Sequence, residues 1–145
     1  MLQNFRISPV RLSDAVPFLR LEARCFGMSY SSNSLYYWRP ILDYCWAYKA
    51  IRDDEILGGV IAMPTRQGKI YVNSLFVHPR MRGLGIGSQL LETVLALPAI
   101  GFILDVKANK GRLIDMYRRR GFKITRNEMD YYLDGSDRVI MERRP

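Results

Sequence analysis

The 145-residue sequence predicts a mixed α/β fold with a mostly antiparallel sheet, on three observations. Apolar runs from Tyr44 to Ile51, Ile56 to Met63 and Ile70 to Val77 are separated only by short turn-forming stretches, the pattern of an antiparallel meander. The third run passes directly into a glycine-rich loop, after which apolar residues recur at helical spacing. A short apolar strand, another helix and two strands then complete the order β-α-α-β-β-β-α-β-α-β-β.

Phe5 to Ser8 opens the chain as a short strand. Ser13-Asp14 then reads as a helix start leading into Val16, Leu19, Leu21 and Phe26. A second helix is expected from about Ser34 to Leu42, with Pro40 predicting a kink or an early end, and its Tyr36, Tyr37 and Trp38 suit core packing or a groove. Arg52-Asp53-Asp54-Glu55 and Gly68 mark the turns of the meander. After the loop, Ile86, Leu90, Leu91, Val94 and Leu95 define a helix that Pro98 stops. Phe102 to Val106 is short and apolar, as expected of a strand inside a sheet. Leu113, Ile114 and Tyr117 mark the next helix, which leaves at Gly121-Phe122, and Lys123 to Arg126 and Asp137 to Glu142 are the last strands.

Length and composition fit a single soluble domain covering residues 1–145, with 48% hydrophobic and 25% charged residues. No apolar stretch is long enough to span a membrane, and the N-terminus lacks a signal-peptide pattern, so a cytoplasmic address is expected. Cys25 and Cys45 show no metal-ligand or redox spacing and read as buried packing residues. With His78 the sole histidine, no metal site is expected and a histidine-based triad has little to work with. The net charge of +8 does not select a partner. Apart from Arg118-Arg119-Arg120 and Arg143-Arg144 the basic residues are scattered, without interleaved stacking aromatics, so a solvated surface is favoured over nucleic-acid binding.

The informative stretch is Val77-His78-Pro79-Arg80-Met81-Arg82-Gly83-Leu84-Gly85-Ile86-Gly87-Ser88. Glycines at 83, 85 and 87 leave backbone N–H groups uncovered, and the loop opens a helix whose first amides lack intrahelical partners. A diphosphate suits that site, and Arg82 adds a permanent positive charge. Asp105, about twenty residues on, also suggests a Rossmann unit. That reading fails because the third glycine is missing from either register, and too little chain follows for further βαβ units. A P-loop nucleotidase is excluded by the lack of Gly-Lys-Ser/Thr.

Arg82-x-x-Gly85-x-Gly87, with an apolar strand before and Ser88-Gln89-Leu90-Leu91 after, resembles the coenzyme A motif of the GCN5-related N-acetyltransferases (GNAT). Leu104-Asp105-Val106-Lys107-Ala108-Asn109 and Tyr117-Arg118-Arg119-Arg120-Gly121-Phe122 resemble the family's second conserved segment. The tail, from Tyr131-Tyr132 through Asp137 to Met141, is similar to the closing hairpin of the ribosomal-protein alanine N-acetyltransferase branch. The similarity covers about residues 70 to 142; residues 1 to 69 match in element order only.

The resemblance implies the GNAT fold, with helices on both faces of its sheet, and an acetyl-CoA-dependent acyltransferase acting on a primary amine. The leading acceptor is a protein or peptide N-terminal α-amine; the alternatives are a small amine or a non-catalytic coenzyme A-binding regulator. It implies that Leu75, Phe76 and Val77 pair with the pantetheine arm, that residues 82–88 hold the diphosphate, and that Tyr117 protonates the departing thiolate. Asp105 falls where the alanine branch keeps a glutamate base, and one methylene fewer suggests that a water relays the proton. Packing stays open as the role of Tyr117, and capping of the next helix as that of Asp105. No carboxylate stands at Asn73-Ser74, the family's other base position, which favours Asp105 by elimination. His78 reads as a turn residue. The asparagine expected to bond the pantetheine should fall at Lys110, whereas the sequence has Asn109, so either residue is a candidate contact. A monomer or a homodimer is equally compatible with the sequence.

Overall fold

The computed structural model describes residues 4–27 and 36–145, and the elements follow the predicted order. They are β1 (Arg6–Pro9), α1 (Ala15–Cys25), α2 (Trp38–Tyr44), β2 (Trp46–Arg52), β3 (Glu55–Pro64), β4 (Ile70–Val77), α3 (Ile86–Leu95), β5 (Phe102–Lys107), α4 (Gly111–Arg119), β6 (Lys123–Glu128) and β7 (Arg138–Arg143). The strands hydrogen-bond in the order β1-β2-β3-β4-β5-β7-β6. β1/β2, β2/β3, β5/β7 and β6/β7 pair antiparallel, and β4/β5 pairs parallel.

The chain forms two compact units. One comprises Met1–Met63 with Ser74–Leu97, the other Pro64–Asn73 with Pro98–Pro145, so β4 contributes to both. In the first unit α1 turns Ala15, Phe18 and Leu19 inward at helical spacing, against a core that includes Trp38, Ala47, Ile61 and Phe76. Phe18 packs on Trp38 with ring centroids 5.2 Å apart and edge-on against Phe76 at 5.0 Å. The nearly buried Lys49 is neutralised by Asp14, Nζ to Oδ2 2.6 Å, just ahead of α1.

Two adjacent glycines of β3 admit helices to both faces of that strand. A Cβ at Gly58 would lie 2.7 Å from the Phe76 carbonyl of β4, 3.3 Å from Ile86 and 3.4 Å from Leu90 of α3, whereas one at Gly59 would lie 2.3 Å from the Phe18 ring of α1. Since neighbouring strand residues point to opposite faces, α1 and α3 cover opposite sides of β3. In the second unit the buried apolar side chains include Leu104, Val106, Val139 and Met141 on one face of β5 and β7, and Ile140 on the other.

Some expected boundaries shift. β1 runs one residue later than Phe5–Ser8. Pro40 neither kinks nor ends α2, because it occupies the first turn, where its missing N–H has no partner to lose. The helix continues through Tyr44, which the apolar pattern of the meander places in the next strand, and Ser34 lies outside the described residues. Trp38 is core, while Tyr36 and Tyr37 are exposed. The Asp53-Asp54 turn has φ of 48° and 65°, the two left-handed residues of a type I′ hairpin. Neither cysteine is fully buried, and the Cys25 thiol donates to the Val77 carbonyl at 3.3 Å. Among the described residues no helix is long and apolar enough to cross a membrane.

Candidate functional site

In the first unit the chain leaves β4 at Val77 and enters α3 through the glycine loop. The His78 N–H bonds to Leu57 O of β3 at 2.8 Å, and the His78 ring accepts from Arg80 N–H at 3.1 Å, a turn-capping role that agrees with its sequence reading. Gly83 has φ 81° and Gly85 φ 86°, ψ 6°, a left-handed backbone that a side chain disfavours. Gly85 is the residue that caps the start of α3, and the first helical bond it accepts comes from Gln89 N–H, at 3.1 Å. The N–H groups of Ile86, Gly87 and Ser88 therefore have no intrahelical acceptor, and they sit at the positive end of the helix dipole. Nothing lies within 4 Å of a Cβ built at Gly83, and Leu84 is exposed, so the loop's outer side is open. These features fit a diphosphate.

The side chains around the loop have distinct tasks. Ile86 is buried, so only its backbone is available to a ligand; the same holds for Phe76, which packs on Phe18 and Phe26. Leu75 and Val77 are half-buried. Arg82 turns its Nε back to the Val77 carbonyl at 3.2 Å, bracing the loop against the end of β4. The β4/β5 ladder consists of Ile70↔Phe102 and Tyr71↔Ile103. Among the described residues no further pair extends that ladder beyond Tyr71.

Ser74, which carries no charge of its own, donates a hydrogen bond to Glu22 Oε2 of α1 at 2.6 Å. A carboxylate is thus present beside Ser74, supplied by a helix rather than by the strand, and this removes the elimination argument for Asp105. Burial pushes the Glu22 carboxyl above its ordinary value, with the Ser74 hydrogen bond pulling in the opposite direction.

The second unit holds Asp105 and Tyr117. Asp105 stands on β5, opposite Ile140, and does not cap a helix: α4 begins after Lys110, which makes no side-chain capping bond. Its carboxylate is gripped by two phenols that sequence reasoning had not assigned to the site. Tyr71 donates to Oδ1 at 2.8 Å, and the Tyr132 hydroxyl lies 2.9 Å from Oδ1 and 2.5 Å from Oδ2. The two hydroxyls are 3.3 Å apart. Arg138 lies over the Tyr132 ring, 5.0 Å from its centroid, and Tyr131 packs edge-on against Tyr132 at 4.9 Å. Burial and the hydrogen bonds with Tyr132 and Asp105 drive the Tyr71 phenol strongly upward, so it stays protonated.

Tyr117 is 5% exposed on α4, packed edge-on against Phe122 at 5.6 Å. Burial, assisted by the Asp105 charge, raises its phenol well above the ordinary value, and no described residue hydrogen-bonds to its hydroxyl. Packing accounts for the ring and leaves the hydroxyl without a structural task. Asn109 and Lys110 are both exposed in the turn before α4, closed by Lys110 N–H to Lys107 O at 3.0 Å. Among the described residues no cluster of acidic, cysteine or histidine side chains is suited to a metal.

A sequence model described as the acetyltransferase (GNAT) family matches residues 15–122. An N-alpha-acetyltransferase of Sulfurisphaera tokodaii is 25% identical over 158 aligned residues, covering 96% of this chain and 92% of that protein. Among solved structures, Naa50 of Arabidopsis thaliana in complex with a bisubstrate analogue, CoA-Ac-MVNAL, superposes with a TM-score of 0.83 at 22% identity, covering 99% of this chain and 100% of that one. The ribosomal-protein-S18-alanine N-acetyltransferase of Escherichia coli gives 0.84 at 19% identity, with 97% and 93% covered.

Proposed function

The chain belongs to the acetyltransferase (GNAT) family and is an acyltransferase, and from that premise we propose that it acetylates the N-terminal α-amine of a protein or peptide, with residues 1–145 serving as one catalytic domain. The observation that carries the reading is the Asp105 carboxylate fixed by Tyr71 and Tyr132, a basic group whose orientation is set before any amine arrives. The likeness to an N-alpha-acetyltransferase, and to a structure that holds an acetylated peptide analogue, supports the choice of acceptor.

Acetyl-CoA supplies the acetyl group as a thioester. The amides of Ile86, Gly87 and Ser88 take the diphosphate, with Gly83, Leu84 and Gly85 shaping the approach and Arg82 adding charge. Backbone groups of Leu75, Phe76 and Val77 hold the pantetheine arm, with Asn109 or Lys110 as a further contact. His78 N–H is turned to β3; alternation along a strand therefore points Val77 N–H to the opposite edge, where it stabilises negative charge developing on the thioester oxygen. Asp105 accepts the proton of the acceptor ammonium, directly or through one water. The neutral amine nitrogen bonds to the thioester carbon and the C–S bond breaks; Tyr117, kept protonated by burial, gives its hydroxyl proton to the departing sulfur, and the second proton lost by the nitrogen restores the phenol through solvent.

The test is acetyl transfer from acetyl-CoA to pooled peptides, followed by thiol release and by mass spectrometry of the products. Free N-termini should be acetylated, and the same peptides blocked at the α-amine but carrying lysines should not. Tight coenzyme A binding without thiol release from any acceptor would establish the regulator instead, and turnover confined to small amines would replace the acceptor class.

A further inference from the structure

The two basic stretches at Arg118-Arg119-Arg120 and Arg143-Arg144 lie outside the residues assigned to acetyl transfer, and the second of them opens on a cavity. In the second unit, the start of β6, the end of β7 and the segments leading into β4 and β5 enclose about 780 Å³. Its lining includes Lys69, Lys123, Thr125, Glu142, Arg143, Arg144 and Pro145: among the side chains, four cations against one carboxylate. That carboxylate is already committed, since Lys69 Nζ lies 2.5 Å from Glu142 Oε1. Among the described residues Lys123, Arg143 and Arg144 have no acidic partner. Part of the wall is bare backbone: a Cβ at Gly101 would lie 3.0 Å from Arg143 O.

Three cations that form no ion pair of their own, with Lys123 standing across the strand pair from a Glu142 already held by Lys69, repel each other around one concavity, and an anion between them relieves that repulsion. The volume lies in the range of small-molecule sites, too confined for a nucleic-acid duplex to enter. No aromatic side chain lines it, so it lacks the stacking platform of a single-strand binder. We propose that this cavity binds a compact ligand carrying several closely spaced phosphates, at a site separate from the glycine loop.

The probe is sodium tripolyphosphate, titrated calorimetrically at low salt in the presence of saturating coenzyme A, so that the glycine loop is already occupied. The wild-type protein should bind it, and Lys123→Glu with Arg144→Glu should weaken binding at least tenfold, while Arg82→Ala leaves it unchanged. Both charge-reversed residues are exposed, and a melting curve checks that the variant folds; Lys123→Gln and Arg144→Gln singly serve if it does not. Absence of wild-type binding, equal affinity in the charge-reversed protein, or capture of a short RNA duplex without tripolyphosphate would overturn the proposal. The coenzyme A titration of the same samples reports on the acetyltransferase reading independently.

Discussion

Replacing Gly85 by alanine separates the shape of the phosphate loop from its emptiness. At φ 86° and ψ 6° the residue is left-handed, and an L side chain there costs about 1–2 kcal/mol. If the loop keeps its shape, that strain lowers the melting temperature by roughly 3–6 °C for a chain of this size. If the backbone rotates to escape the strain, the amides of Ile86, Gly87 and Ser88 turn from their common target. Each charge-assisted hydrogen bond lost is worth about 1.5–3 kcal/mol, so surrendering one weakens acetyl-CoA binding about ten- to a hundredfold. Gly87→Ala is the internal control. Its backbone is helical, and the added Cβ would meet Val77 Cγ2 at 3.4 Å, an ordinary contact. Calorimetry with acetyl-CoA and thermal melting of both variants decide the matter: Gly85→Ala should lose stability or affinity, and Gly87→Ala, whose Cβ turns toward Val77, should keep its melting temperature and lose less affinity than Gly85→Ala. Wild-type behaviour of Gly85→Ala in both assays would refute the argument, as would equal damage at the two positions.

Asp105→Asn keeps the shape of the side chain and removes its basicity; kcat should fall about 10²- to 10⁴-fold with acetyl-CoA affinity intact, and a rate within threefold of wild type excludes Asp105 as the base. Tyr117→Phe preserves the edge contact with Phe122 and should lower kcat about tenfold or more without weakening the cofactor, whereas a loss confined to stability would reduce Tyr117 to packing. Glu22→Gln retains an acceptor for Ser74 and discards a charge that burial disfavours. Because the folded-state pKa of Glu22 is raised above 4.5, stability from this group is complete below that value and declines as pH climbs through the raised one. The variant should therefore melt about 3 °C higher at pH 7, on the order of 1 kcal/mol, with the gain vanishing in acid. A gain that persists at pH 4 would contradict the assignment.

What the sequence disclosed was governed by local chemistry. Gly83 and Gly85 are legible because few other residues accept their backbone, and the apolar periods of α1, α3 and the meander follow directly from burial. Asp105 was visible through a resemblance. Its partners were not: Tyr71 and Tyr132 are 34 and 27 residues away, and only the β4/β5 and β5/β7 pairings determine that they meet it. Along β4 Tyr71 merely continues an alternation, and the Tyr131-Tyr132 pair looks like any hairpin aromatic. Glu22 sits among the charges of an amphipathic helix, and nothing in the sequence ties it to Ser74. Pro40 misled because a proline in a first turn and one that ends a helix differ by two or three positions.

The paired glycines of β3 bear on how the protein meets its ligand. With no side chain on either face at 58 and 59, the Phe18 ring on one side and Ile86 and Leu90 on the other come almost to the strand's backbone. The first turn of α3 is consequently seated in the apolar interior through Ile86, one residue after the loop ends. On the proposed reading, an anion arriving there meets amides already aimed, and its capture costs little ordering entropy. Bulk introduced at Gly59 would displace the Phe18 ring, and at Gly58 it would press on the β4 backbone and on the seat of α3 directly behind the loop.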